Sequence, residues 1–367
     1  METPVSSSHH RVEAAVKAFA KGEIVVVTDD DDRENEGDLF VAASLCTPEK
    51  MAFIIRNTSG IVCAPLSGEL ARRLRLEPMV AENDAPLGTA FTVTVDVRHG
   101  LTTGISAEER TNTVRALAND NSGPADFVRP GHVFPLIARE GGVLMRSGHT
   151  EACIDLCRLA GVPEVGVLSE LMNDNGTVMR GPEVVAFAAR HNLAYVSIAE
   201  LIAYRQSRDK LVERVGEFQL SSEIGTLKGY AYVTPFDRVH HMAFVYGEVG
   251  DGRGMLARLH RADVINDVFG GAKPIHAALA RFKAAGRGVI VFLRDGTAGV
   301  PLAEIPHEGD TGTEAARSRQ WREIGLGAQI LKDLGIFSIR LLSSSQRTYV
   351  GLSGFGIEIL ATDPLDG

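Results

Sequence analysis

The sequence predicts an α+β protein of two domains, each a mixed β-sheet packed with helices. Three observations carry this. Apolar β-branched runs and helix-spaced segments intermingle without the strict strand–helix alternation of a doubly wound fold. A length of 367 residues is a prior for two domains, and 44% hydrophobic residues are enough to fill two cores. A polar stretch, RQSRDKLVER at roughly 205 to 214, separates two apolar-rich halves, so the domains are drawn as 1–206 and 213–367.

Taken in order, METPVSSSHH reads as a floppy tail, and HRVEAAVKAFAKG has helical spacing that stops at Gly22, a C-cap residue. EIVVVT is a buried strand. TPEKMAFIIRNTSG is a capped helix, with Pro48 near its start and Gly60 past its end. GIVCAPLS is a short strand, ARRLRL a short helix, and TAFTVTVDV alternates as a strand does. SAEERTNTVRALAND opens on a capping-box pattern, Ser106 followed by Glu109. GHVFPLIARE is a strand with a proline interruption. HTEACIDLCRLAG is a helix, EVGVLSELMN a buried strand, GPEVVAFAARHN a helix, and AYVSIAELIAYRQ a strand followed by a helix. Beyond the boundary, FVYGEV, MLARLH, GVIVFLRD and FSIRLLS are strands set between helices.

The net charge of −9 argues against nonspecific binding to nucleic acid or to a membrane surface. No apolar run approaches the roughly 20 residues of a membrane-spanning helix, and no N-terminal signal peptide is visible. The four cysteines, Cys46, Cys63, Cys153 and Cys157, form no C-x-x-C pair and read as buried free thiols. A cytoplasmic, reduced protein is expected.

The acids are not spread evenly. VVVTDDDDRENEGDLF, residues 25–40, sets seven carboxylates (Asp29, Asp30, Asp31, Asp32, Glu34, Glu36 and Asp38) around Arg33 at the end of an apolar strand. A solvated acidic loop is one reading. An EF-hand is excluded: counted from Asp29, the fifth position is Arg33, the sixth Glu34 and the twelfth Phe40. A magnesium or manganese site is a third reading, in which the ion offsets the repulsion and Arg33 stays free for an anionic substrate. Gly37 suggests an unusual dihedral or a close approach. Three more stretches add polar chemistry. RPGHVF places His132 after a Pro-Gly turn where a strand begins. RSGHT sets Arg146, His149 and Thr150 around Gly148 at a helix start, a phosphate-cradle pattern. VLSELMNDNG puts Glu170 on a buried strand near a turn. Each of these, alone, has an ordinary structural explanation.

Together, DDDDRENEGDL, TTGISAEERTNTVRAL, RPGHVFPL, RSGHTEACIDLCRLAG and VLSELMNDNGT resemble the successive signatures of 3,4-dihydroxy-2-butanone-4-phosphate synthase, from about residue 10 to 206. The resemblance implies conversion of ribulose 5-phosphate to dihydroxybutanone phosphate and formate, with two magnesium or manganese ions, in a homodimer whose sites lie near the subunit interface. It implies Glu34 and His149 as metal ligands and His132 and Glu170 as the acid–base residues. Arg33, Glu34, Asp38, Arg146, Ser147, Gly148, His149, Thr150 and Glu170 would contact the sugar phosphate. One departure is Leu87, where the family carries an aromatic or imidazole residue in a loop that closes over the substrate.

Residues from about 213 to 362 resemble GTP cyclohydrolase II through ARLHRADVINDVFGGAKPIHAALARFKAAGRGVIVFLR, GLGAQILKDLGIFSIRLLSSSQR and GLSGFGIEIL. In the active family three cysteine thiolates bind zinc. Here Asp263, Pro274 and His276 stand at those positions, and no cysteine follows Cys157. The glutamine-glutamate-glycine-arginine-glycine signature is replaced by DGTAGVPL. Gln320 and Ile324 replace an acid and a tyrosine around Arg322. A folded second domain without zinc or catalysis is expected, with a bifunctional enzyme as the alternative.

Overall fold

The computed structural model describes residues 4–29, 34–85, 87–235, 237–294, 325–343 and 357–365. It divides into two compact units, Met1–Tyr204 and Arg205–Gly367. In the first unit the elements run α1 (Pro4–Ala20), β1 (Val25–Thr28), β2 (Gly37–Ala42), α2 (Pro48–Asn57), β3 (Cys63–Leu66), α3 (Gly68–Arg73) and β4 (Val95–Val97). They continue as α4 (Ala107–Leu117), β5 (Phe127–Ile137), α5 (His149–Ala160), β6 (Gly166–Glu170), α6 (Pro182–Arg190), β7 (Ala194–Ser197) and α7 (Ile198–Arg208).

The seven strands form one mixed sheet in the order β4-β5-β3-β6-β2-β1-β7. β2 is antiparallel to both β1 and β6, and β3 is parallel to β5. Every residue of β1 and β2 is buried, so both sheet faces are covered: α1 packs with α5, and α2 with α4. Leu39 and Val41 join the large core with Val26, Ile54, Phe127 and Val167. Each fully buried aliphatic side chain of this kind contributes roughly 1.5–3 kcal/mol. That burial pins the β1–β2 hairpin in register, Val27 opposite Asp38, and so fixes where its acidic connection emerges.

Helix starts follow their caps. The Thr47 hydroxyl accepts from Lys50 N–H, and the Ser106 hydroxyl from Glu109 N–H. The Glu109 carboxylate does not return to the Ser106 backbone N–H as a full capping box would; it accepts from the N–H and hydroxyl of Thr102 at 2.7 and 2.8 Å. The expected floppy tail is corrected: from Pro4 it is part of α1, with a proline at the helix start where its missing N–H costs nothing. The expected long strand over TAFTVTVDV shrinks to β4, and β5 begins at Phe127, before His132 rather than at it.

The second unit carries β8 (Glu213–Ser222), β9 (Gly225–Thr234), β10 (Asp237–Tyr246), β11 (Met255–Arg261), α8 (Lys273–Ala285), β12 (Gly288–Leu293), β13 (Ser338–Ser343) and β14 (Glu358–Pro364). Their sheet order is β14-β13-β11-β12-β10-β9-β8, and residues 325–333 are helical. The polar stretch 205–214 is not a free linker: it holds the end of α7 and the start of β8. Among the described residues, no helix is long and apolar enough to cross a membrane.

Candidate active site

The acidic connection is organised from within. Asp29 ends β1 nearly buried, and its carboxylate accepts from the backbone N–H of Glu34 at 3.1 Å and of Glu36 at 3.0 Å. Asn35 takes the left-handed turn between them, with φ 54°. Gly37 is a close approach, since a β-carbon there would collide with Val184 at the start of α6. The next residue, Asp38, is 2% exposed and stands opposite Glu170 at the end of β6. Cross-strand partners share a face, so both carboxylates project to one side. On that side α5 begins with His149. Its Nδ1 lies 3.5 Å from Glu34 Oε2, its Nε2 3.9 Å from Asp38 Oδ1, and its ring meets the Phe40 ring edge-on.

Asp29, Glu34 and His149 each offer a ligand atom within 4.8 Å of the others, the one such group among the described residues. Two buried atoms beside them, Asp38 Oδ1 and His149 Nε2, have no hydrogen-bond partner there. Burying such an atom alone costs about 1–3 kcal/mol. Clustered carboxylate oxygens and one imidazole nitrogen fit a divalent cation, which would meet those atoms and offset the repulsion.

Charge is strained in the metal-free cluster. Burial pushes the Asp38 carboxyl up to about 7, with the His149 charge opposing and Glu170, Glu34 and Glu36 adding. Burial lowers the His149 value, but Asp38, Glu34 and Asp29 outweigh it and raise the imidazole to about 9. Glu36 is also raised, first by burial and then by Glu34 and Glu170, and Arg180, 3.7 Å away, opposes this. Asp38 and His149 therefore hold protons over a pH range in which the unfolded chain releases them. The His149 contribution to stability is fully present below its ordinary 6.5 and is lost as pH rises through about 9. Asp38 likewise loses stability as pH rises from its ordinary 3.8 through about 7. A cation has to displace these protons, so its affinity rises with pH. Magnesium titrated calorimetrically at pH 7 in two buffers of different ionisation enthalpy is expected to show release of about one proton per site. An enthalpy that does not depend on the buffer would contradict the assignment.

The cradle residues sit where expected, with one difference. Gly148 is the N-cap of the 12-residue helix α5 and offers no side-chain cap, with Thr150 buried and Ser147 half-buried beside it. Arg146 instead turns to Glu151, its Nη1 donating to Oε2 at 2.7 Å. Arg33 lies outside the described residues, as do DGTAGVPL, Gln320, Arg322 and Ile324.

His132 is held by a residue that the motifs did not reveal. Asp96 on β4 is 3% exposed, and its Oδ1 accepts from His132 N–H at 2.9 Å while Oδ2 lies 2.7 Å from His132 Nδ1. Val95 pairs with Val133 but Asp96 with Val128, so residues 129–132 bulge out and carry the imidazole to the carboxylate. Along the sheet β5 is separated from β6 by β3, so His132 and Glu170 stand on strands two places apart. Glu34, Asp38, His149 and Glu170 thus come together, while the partner of His132 is Asp96. Asp29, one of the seven clustered carboxylates but not a ligand that the resemblance implies, joins Glu34 and His149 in this group. Asp96 left a weak trace, an acid inside the apolar alternation of TVTVDV.

In the second unit Asp263 receives the backbone N–H of Asn266 at 3.1 Å and its side-chain amide at 2.6 Å, while His276 Nδ1 lies 2.9 Å from Glu223. Neither belongs to a cluster of metal-ligating atoms among the described residues.

The family profile of 3,4-dihydroxy-2-butanone 4-phosphate synthase matches residues 13–204, and that of GTP cyclohydrolase II matches residues 213–364. The chain is 44% identical over 383 residues to the bifunctional riboflavin biosynthesis protein RIBA 1, chloroplastic, of Arabidopsis thaliana, covering 100% of this chain and 70% of the relative. The crystal structure of RibBX, a two-domain 3,4-dihydroxy-2-butanone 4-phosphate synthase from A. baumannii, superposes with TM-score 0.80 at 36% identity, covering 96% of this chain and 99% of that one. A 3,4-dihydroxy-2-butanone 4-phosphate synthase in complex with two magnesium ions matches with TM-score 0.53 at 46% identity, covering 54% of this chain and 97% of that one.

Proposed function

Because the chain belongs to the 3,4-dihydroxy-2-butanone 4-phosphate synthase family and carries a GTP cyclohydrolase II-family domain behind it, we propose that its first unit converts D-ribulose 5-phosphate to 3,4-dihydroxy-2-butanone 4-phosphate and formate in riboflavin biosynthesis. The observation that carries this reading is the meeting of Glu34, Asp38 and His149 at the open N-terminus of α5. Glu34 and His149, with Asp29 beside them, are the residues to hold magnesium or manganese, two ions per site. A bound dication supplies electrophilic stabilisation to the oxyanion that develops when the ketose loses a proton beside its carbonyl. The chain's own groups do the rest. The α5 amides with Ser147 and Thr150, together with Arg33, hold the phosphate, and Asp38 accepts from substrate hydroxyls. Asp96 fixes the Nδ1–H tautomer of His132, which leaves Nε2 to take and return protons. Glu170, at the exposed strand end, is the second acid–base group. The assembly proposed is a homodimer, as the family resemblance implies. The cell compartment proposed is the cytoplasm.

The test is formate release from ribulose 5-phosphate by the full chain. Turnover is expected with magnesium, loss with a chelator, and recovery on adding magnesium back. No formate from metal-replete, folded protein overturns the reading.

The comparisons favour a second activity over the single one expected from the sequence, through the 213–364 match and the bifunctional relative. In that second reading the C-terminal unit also opens GTP. Its difficulty is chemical: the thiolate donors are missing, and Asp263 and His276 are bonded to Asn266 and Glu223. Incubation with GTP and zinc separates the two readings by whether formate and a diaminopyrimidine form.

A further inference from the structure

We propose that Glu151 is a positioning residue which, through Arg146, latches the 87–89 stretch onto the start of α5; its kinetic consequence rests on the synthase reading, its structural one does not. Arg146 Nη1 donates to Glu151 Oε2 at 2.7 Å, while Nη2 donates to the Leu87 carbonyl and the Thr89 hydroxyl, both at 3.2 Å. Glu151 is 1% exposed, and its other oxygen accepts from Arg139 N–H at 2.9 Å. A carboxylate buried this deeply must be held by donors, and once held it fixes the plane of the guanidinium against it. Gly148 lies beneath the pair: a β-carbon there would collide with Arg146 Nη1 and stand 2.8 Å from Glu151 Oε2. The glycine of RSGHT thus makes room for an ion pair, whatever it does for a phosphate.

The tethered stretch is held unevenly. Downstream it is anchored to β5, with Ile137 N–H donating to the Ala90 carbonyl and Thr92 N–H to the Pro135 carbonyl, both at 3.0 Å. Upstream, residues 80–85 are exposed, and a cavity of about 840 Å³ opens between the stretch and the body, lined by Val80, Asn83, Gly88, Phe91 and Ile154 among others. Open space therefore adjoins Gly88, and residues 87–89 are tied by the Asn83 amide donating to the Thr89 carbonyl at 2.9 Å and by the Arg146 guanidinium. Arg146 opens the RSGHT stretch that leads into α5, so the latch ties residues 87–89 directly to the start of that helix.

Amide hydrogen exchange over residues 84–92 of the full chain, without substrate, tests this. Loss of a hydrogen bond of ordinary strength corresponds to about tenfold faster exchange through local opening. Glu151→Ala is expected to show that acceleration and Glu151→Gln, which keeps an acceptor, a smaller one, with β6 unchanged in both. With ribulose 5-phosphate, KM should rise about tenfold while kcat changes by less than about threefold. Thr89→Val removes one tie from the loop side and serves if Glu151→Ala does not fold; faster exchange is expected there too. Unaltered exchange at 84–92 in any folded member of the set overturns the latch, and since that measurement needs no turnover, it stands apart from the fate of the synthase reading.

Discussion

Glu34→Gln is expected to lower formate release from ribulose 5-phosphate by about 10³-fold, and added magnesium should not restore it. The size follows from the chemistry: electrophilic assistance by a dication contributes several kcal/mol to the barrier, and about 4 kcal/mol is about 10³ in rate. Glutamine keeps the shape and one weaker acceptor but removes the charge that balances the cation. The fold should survive, because Glu34 sits on a connection with its side chain 26% exposed and its backbone N–H, not its carboxylate, makes the bond to Asp29. Direct magnesium titration of the variant should therefore show lost binding by a chain with unchanged circular dichroism. Near-normal turnover, or undiminished affinity, would remove Glu34 from the metal set.

That sensitivity comes from how the sheet is built. β1 and β2 are buried on both faces, so the hairpin cannot slip to let its acids reach water. Asp38 is carried into the interior by the same register that puts Leu39 and Val41 in the core. α5 then delivers His149, at a helix start that lacks a side-chain cap, to the same place as the carboxylates.

The parts of this that were legible in the sequence are the local ones. A β-branched run announced β1, capping residues announced α2 and α4, and the Gly148–His149 step announced α5. What stayed hidden depended on partners far along the chain. β8 is exposed along nearly its whole length, so no apolar alternation marks it as a strand. The start of α1 was hidden because serines and histidines favour a helix only weakly. Asp96 meets His132 across 36 residues, through a bulge that no pattern of apolar positions encodes. Arg146 was legible as a cation beside a helix start, but nothing in the residue pattern marks Glu151, five positions on, as its partner.

Asp96→Asn provides the second large effect. Asparagine can still accept the His132 N–H through its carbonyl oxygen, so the bulge should keep its shape. The atom facing Nδ1 becomes an amide donor, however, and the neutral ring answers by moving its proton to Nε2, the nitrogen needed as a base. Where a buried carboxylate sets a catalytic tautomer elsewhere, this exchange costs about 10⁴ in kcat. His132 is 41% exposed and can recover part of the loss through water, so a fall of about 10² is expected here. The pair also has a steric guard. Gly104 has φ +83°, and a β-carbon there would collide with Asp96 and lie 2.6 Å from His132 Nδ1, while Glu109 holds the preceding turn through Thr102. KM should change little, because Asp96 reaches the imidazole and not the phosphate cradle. If kcat were unchanged while KM rose, His132 would be a binding group rather than a proton carrier. If both were unchanged, the 2.7 Å contact would be structural alone.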